Sequence, residues 1–211
     1  MKHGVPYYGN SGGACALACY TMAAQYLLPD QKITFKQLSQ LADRREGYIV
    51  WGFSLWKWLM NRGIHVTDYD TIDYEAWASK GATGLRASVP AQDFKFYQEN
   101  TYDLELESKQ IGKMLYHPNF TYIKLKPTWQ DVVNEFKKSG ICDVTLNSRQ
   151  LNHQTGFSIH RVVLLDITDR EVIFHDPNND WSGANRHEPL QHFRKVFDSM
   201  AEPELAHYFL V

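Results

Sequence analysis

Cysteine is scarce: the 211 residues contain three, at 15, 19 and 142. The number is odd, no C-x-x-C pair or zinc-ligand spacing is present, and a disulfide framework or cysteine zinc site is therefore excluded. Long apolar runs are also missing. No stretch approaches the ~18 residues of a membrane span, and Met1-Lys2-His3-Gly4-Val5-Pro6 has no signal-peptide core. The expected location is the cytoplasm, or outside the cell by export without a recognisable signal, with no membrane partner. Charge of one sign is lacking too, with 22 Lys+Arg against 24 Asp+Glu and a net charge of -2. Without a broad basic surface, nucleic acid is not an expected partner. No linker, charge run or internal repeat divides the chain, so residues 1–211 are expected to form one domain. The nine histidines form no H-E-x-x-H, and neither a metal nor a cofactor is expected.

What is present is an ordinary soluble composition, 44% hydrophobic, with a rich aromatic share of 14%. The chain is organised around 11–28, a glycine turn running into an apolar helix. From Cys15 to Leu28 only Gln25 is strongly polar, which places this helix inside a core. Pro29 ends it. Gly12 and Gly13 turn the chain so that Cys15 falls near the first helical turn, where unpaired N–H groups and the helix dipole favour a thiolate. Cys19, one turn deeper, is expected to have a raised pKa and a packing role.

The remaining pattern changes halfway. Helices are predicted over 35–45, 53–62, 73–80 and, in two pieces, 91–116, with a short strand at 64–69. The inward face of the 53–62 helix is read as Leu55, Trp58 and Leu59. A strand at 120–125 precedes a helix at 128–138, opened by a capping box at Thr128 and closed by Gly140. Strands follow at 141–146, 161–167 and 171–175, then a helix at 189–196 and a strand at 206–211. Helices first and an antiparallel sheet second is an α+β pattern.

Thr168-Asp169-Arg170 reads as a hairpin turn. It brings His160, at the start of one strand, beside Asp176, at the end of the next, because antiparallel neighbours lie ~5 Å apart. An imidazole oriented by a carboxylate is the partner a cysteine nucleophile requires. Asn178 is the rival for the orienting role. His175 points to the opposite face, and His153 has no comparable hairpin partner.

These residues resemble the C39-like branch of the papain-like cysteine peptidases, whose motif Q-x(5)-C-G-x-A-x-x-x-M opens the domain and whose H-x-V-V and D-P close it. Cys15, Ala18 and Met22 match the first motif, His160 with Val162 and Val163 the second, and Asp176-Pro177 the third. The resemblance runs from Val5 to about Phe197. It implies a papain-like fold, with a helical N-terminal half whose central buried helix packs on a mainly antiparallel C-terminal sheet. It also implies a thiol hydrolase acting on a peptide or protein substrate, cleaving a peptide or isopeptide bond. Cys15 would attack, His160 shuttle the proton and Asp176 orient it, while Asn10 and the Cys15 N–H stabilise the oxyanion. Ala16 stands where the family has Gly, and Asn10 near its Gln. Glutamine deamidation and acyl transfer use the same thioester chemistry. An inactive peptide-binding module is the alternative from another class.

Overall fold

A computed structural model describes residues 2, 4–9, 14–178 and 183–211. The apolar helix is α1 (Cys15–Leu27), and its residues from Leu17 to Ala24 are all buried. It is covered on one side by α2 (Phe35–Leu41) and α3 (Phe53–Met60) and on the other by a sheet. Thr34 and Gln37 form a capping box at α2, which ends four residues before the expected 45. Asp43 there has a φ of 45°, a left-handed backbone that a helix cannot continue through. In α3 Trp56 is buried, whereas Trp58 is only partly covered and lies under the Arg62 guanidinium at 3.7 Å. Leu55 and Leu59 face inward as expected, and Trp56, two positions before Trp58, takes the place expected of it.

The strand β1 (Ile64–Asp70) is followed by α4 (Tyr74–Lys80), α5 (Ala82–Ser88), α6 (Ala91–Asn100) and α7 (Leu104–Met114), and then by β2 (Phe120–Lys124). This long helical crossover returns β2 parallel to β1. The helix α8 (Trp129–Phe136) is opened by the Thr128 and Asp131 capping box, and leads to β3 (Ile141–Asn147) and a turn of helix, α9 (Ser148–Leu151). The hairpin of β4 (Ile159–Ile167) and β5 (Glu171–His175) follows, its turn closed by Thr168 N–H donating to the Glu171 carbonyl at 2.9 Å. The chain ends with β6 (Arg186–Pro189), α10 (Leu190–Asp198) and β7 (Leu205–Leu210).

Among the described residues seven strands join one sheet in the order β2-β1-β7-β3-β4-β5-β6, antiparallel except for β1 and β2. The fold is α+β and the sheet mainly antiparallel as expected, but the sheet is not confined to the C-terminal half, since β1 joins it from the N-terminal half. Neither α5 nor β6 was expected. Both faces of the sheet carry a core. Met22, Trp77, Ile141, Val163 and Tyr208 pack on the α1 side, and Val132, Leu164, Phe174, Phe193 and Phe197 under α8 and α10. This double burial is why β4 reads as an unbroken apolar run rather than an alternating one. Among the described residues no helix is long and apolar enough to cross a membrane.

Candidate active site

Cys15 is the first residue of α1 and is half-buried. By helix geometry its N–H and those of Ala16 and Leu17 have no carbonyl within the helix to bond, and Ala14, the N-cap, supplies no side-chain acceptor. The second residue of β4, His160, is buried, and Asp176, just beyond β5, is wholly buried. The ladder pairs Val163 with His175, and continuing that register places Asp176 diagonal to His160. The two side chains meet: His160 Nε2 lies 2.7 Å from Asp176 Oδ1. With Nε2 so engaged, Nδ1 is the nitrogen left for the Cys15 thiol, which lines the same cavity as His160.

Electrostatics follows from this line of three groups. Burial alone would raise the Cys15 pKa, but the His160 hydrogen bond and charge, the Arg161 backbone N–H and the Arg161 charge outweigh it, and the thiol is lowered. Burial would lower His160, yet its bonds to Asp176 and Cys15 raise it to about 9. At neutral pH the pair is thereby biased toward thiolate and imidazolium. Asp176 is lowered against its own burial, chiefly by His160. Cys19 behaves differently: burial pushes its thiol well up, and its Sγ donates to the Arg161 carbonyl at 3.3 Å.

Asp176 is held by further contacts. Arg186 Nη1 donates to Oδ2 at 3.1 Å, the Asn178 backbone N–H to Oδ1 at 2.9 Å, and the Tyr7 hydroxyl to the Asp176 carbonyl at 3.2 Å. Asn178 thus contributes its backbone to Asp176. Arg186 also pairs with Glu188, two positions on along β6, at 3.3 Å. His175 ties the N-terminal segment to the sheet, with Nε2 3.0 Å from the Val5 carbonyl. His153, read as having no comparable hairpin partner, stacks on His192, and together with Glu188 their ligand atoms lie within 4.8 Å of one another. Asn10, Gly12 and Gly13 lie outside the described residues.

Beside Cys15 and His160 a cavity of about 140 Å³ opens between α1, α3, β1 and β4. Its walls are largely aromatic, and Asp70, Arg161 and Glu204 are its other charged residues. The aromatic richness of the composition is concentrated in part around this groove. Neither a protein-family model nor a curated protein matches the sequence. Among solved structures, the crystal structure of a double glycine motif protease from an AMS/PCAT transporter in complex with the leader peptide is similar to this chain. The identity is 12% and the TM-score 0.49, over 100% of this chain and 94% of that one.

Proposed function

We propose that the chain is a cysteine-dependent hydrolase of peptide or isopeptide bonds, with Cys15 as nucleophile, His160 as acid and base, and Asp176 as the orienting carboxylate. The observation that supports this reading is the 2.7 Å contact of His160 Nε2 with Asp176 Oδ1 beside Cys15 in one cavity wall, with the thiol lowered and the imidazole raised to about 9. The Cys15 thiolate attacks the scissile carbonyl, and the charge that develops on oxygen is met by the Cys15 N–H, with the Asn10 amide proposed as second donor. Collapse expels the amine, which leaves with the proton from His160 Nδ1, and a thioester remains on Cys15. Water then gives a proton to the now neutral His160 as it attacks the thioester. The acid departs, and thiolate and imidazolium are restored. Asp176 holds one tautomer and stabilises the imidazolium without taking its proton. Glutamine deamidation and acyl transfer share the thioester and differ in leaving group or acceptor, so product analysis separates them.

The test is labelling with iodoacetamide at neutral pH, followed by peptide mapping and a peptide-hydrolysis screen. A single fast adduct on Cys15 is expected, lost in Cys15→Ala, slowed in His160→Ala and retained in Cys19→Ala. Reactivity no faster than an ordinary thiol in the unsubstituted protein would overturn the assignment.

A further inference from the structure

The cavity beside Cys15 is about 140 Å³, close to the ~150 Å³ that holds one benzene-sized group. It therefore fits one side chain of a substrate rather than a whole small-molecule ligand, whose pockets are larger. Because Cys15 and His160 are part of its wall, that side chain belongs to a residue next to the bond under attack.

The wall chemistry is specific. Trp51, Phe53, Trp56, Tyr74 and Tyr97 surround the space, with Trp51 and Phe53 stacked at 5.5 Å and Tyr97 5.2 Å from Trp51. Ring faces of this kind attract apolar groups and cations alike. Charge separates the two. The cations lining the cavity are Arg161 and, when protonated, His160, and both are already engaged: Arg161 by Asp143 and Glu204, His160 by Cys15 and Asp176. Asp70 also lines the cavity, and no ion pair among the described residues reaches it or its neighbour Asp68. Both contact the same donor, the Tyr74 hydroxyl, at 3.0 and 2.9 Å. One hydroxyl has one hydrogen, so it cannot satisfy two ionised carboxylates. The Ile72 N–H adds one bond to Asp70 at 3.0 Å, and the Arg161 charge acts on both acids without pairing with either, so no cation sits directly against these two buried carboxyls. Burial raises the pKa of both. An anion entering here would meet Asp70 and Glu204, and an apolar group would bury Asp70 further without a partner.

We propose that this pocket binds the cationic side chain, ammonium or guanidinium, of the substrate residue beside the scissile bond, with Asp70 as its counter-ion and the Trp51 and Tyr97 rings around it. This rests on the reading of Cys15 as nucleophile. The substrate class is then a peptide or protein with a lysine-like or arginine-like residue at the cleavage point.

The test uses four peptidyl acyloxymethyl ketones that differ only in the residue beside the electrophile, Lys, Arg, norleucine or Glu, with iodoacetamide as a small alkylator that needs no pocket. The expected second-order labelling rates are faster for Lys and Arg than for norleucine by on the order of tenfold or more, with Glu slowest. In Asp70→Asn the advantage of Lys and Arg over norleucine should vanish while iodoacetamide still reacts. Equal rates for the four probes, with fast iodoacetamide labelling of Cys15, overturn the pocket assignment and leave the nucleophile standing. Slow iodoacetamide labelling overturns the nucleophile, and the pocket with it. The four-probe comparison on the unsubstituted protein decides the matter even where Asp70→Asn does not fold.

Discussion

Asp176 is the residue on which several independent contacts converge, and the nature of those contacts sets what its replacement does. Its carboxylate accepts from His160, the Asn178 N–H and Arg186, and burial is overcome so that it stays ionised. Asp176→Asn keeps the volume but offers His160 Nε2 an amide in place of a charge, so the imidazole loses its fixed tautomer. The expected result is a fall in kcat of up to ~10⁴-fold with little change in KM. Asn178→Ala keeps its backbone donor and should cost far less. Full activity in Asp176→Asn with loss in Asn178→Ala would transfer the orienting role to Asn178. The pH profile of hydrolysis follows from the other two residues. On the acid side, kcat/KM should rise as Cys15 ionises below its ordinary range, and on the alkaline side it should fall near pH 9, where His160 loses the proton the leaving amine needs. A rising limb centred near an unperturbed thiol would show that the two groups are not coupled.

At the scale of elements, the joint between α8 and β3 is the most exacting. Gly140 there has a φ of 99°, and a Cβ on it would stand 2.0 Å from the Tyr208 carbonyl oxygen of β7. That oxygen belongs to the strand paired with β3 through Ile141 and Tyr208, so the obstacle is backbone and cannot swing aside. Gly140→Ala should destabilise by more than about 1 kcal/mol, seen as a lowered thermal midpoint, with iodoacetamide labelling of the folded fraction retained. An unchanged midpoint would refute that packing. The capping box at Thr128 was legible because it is a local requirement of the helix start, whereas Gly140, read as the stop of that helix, stands three residues beyond its Lys137 C-cap. The β4 and β5 hairpin was legible because its turn and its apolar runs are contiguous. Elements whose stability comes from distant neighbours were not. Arg186, His187, Glu188 and Pro189 look like a polar loop, and become β6 only because the β5 edge offers them a ladder. The burial of Trp56 over Trp58 depends on Tyr208, whose hydroxyl takes the Trp56 Nε1–H at 3.2 Å from 152 positions away. The aromatic cavity beside Cys15 is assembled from residues between 15 and 204, a combination that no local periodicity records.

Across the whole molecule, the interior between α1 and the sheet is acidic, and one cation holds much of it in balance. Asp68, Asp70 and Asp143 are all at most 4% exposed, and Arg161, 5% exposed, forks to Asp143 and Glu204 while stacking 5.6 Å from the Tyr20 ring. Glu204 leads into β7 and Asp143 lies in β3, so Arg161 of β4 clamps three stretches of the sheet's centre at once. Removing one partner of a buried pair exposes the other's desolvation cost, typically ~3–5 kcal/mol. Arg161→Met, which keeps much of the stem's volume, should therefore cost about that much at neutral pH in chemical denaturation. The pH dependence has a definite sign. Burial already raises Asp143 above its ordinary 3.8, and loss of Arg161 raises it further. A carboxyl whose folded pKa exceeds its unfolded one is harmless while protonated in both states, and it destabilises progressively as pH rises from the unfolded value toward the folded one. The deficit of Arg161→Met should accordingly be smallest near pH 4 and grow toward neutrality. Asp143→Asn added to the same chain removes the stranded charge and should restore part of the stability at pH 7.5, with little effect near pH 4. A deficit that is the same at both pH values, and that Asp143→Asn leaves untouched, would mean that Arg161 acts through packing on Tyr20 and not through charge. The backbone N–H that Arg161 directs at Cys15 survives either substitution, so the folded double variant should still be labelled by iodoacetamide at Cys15.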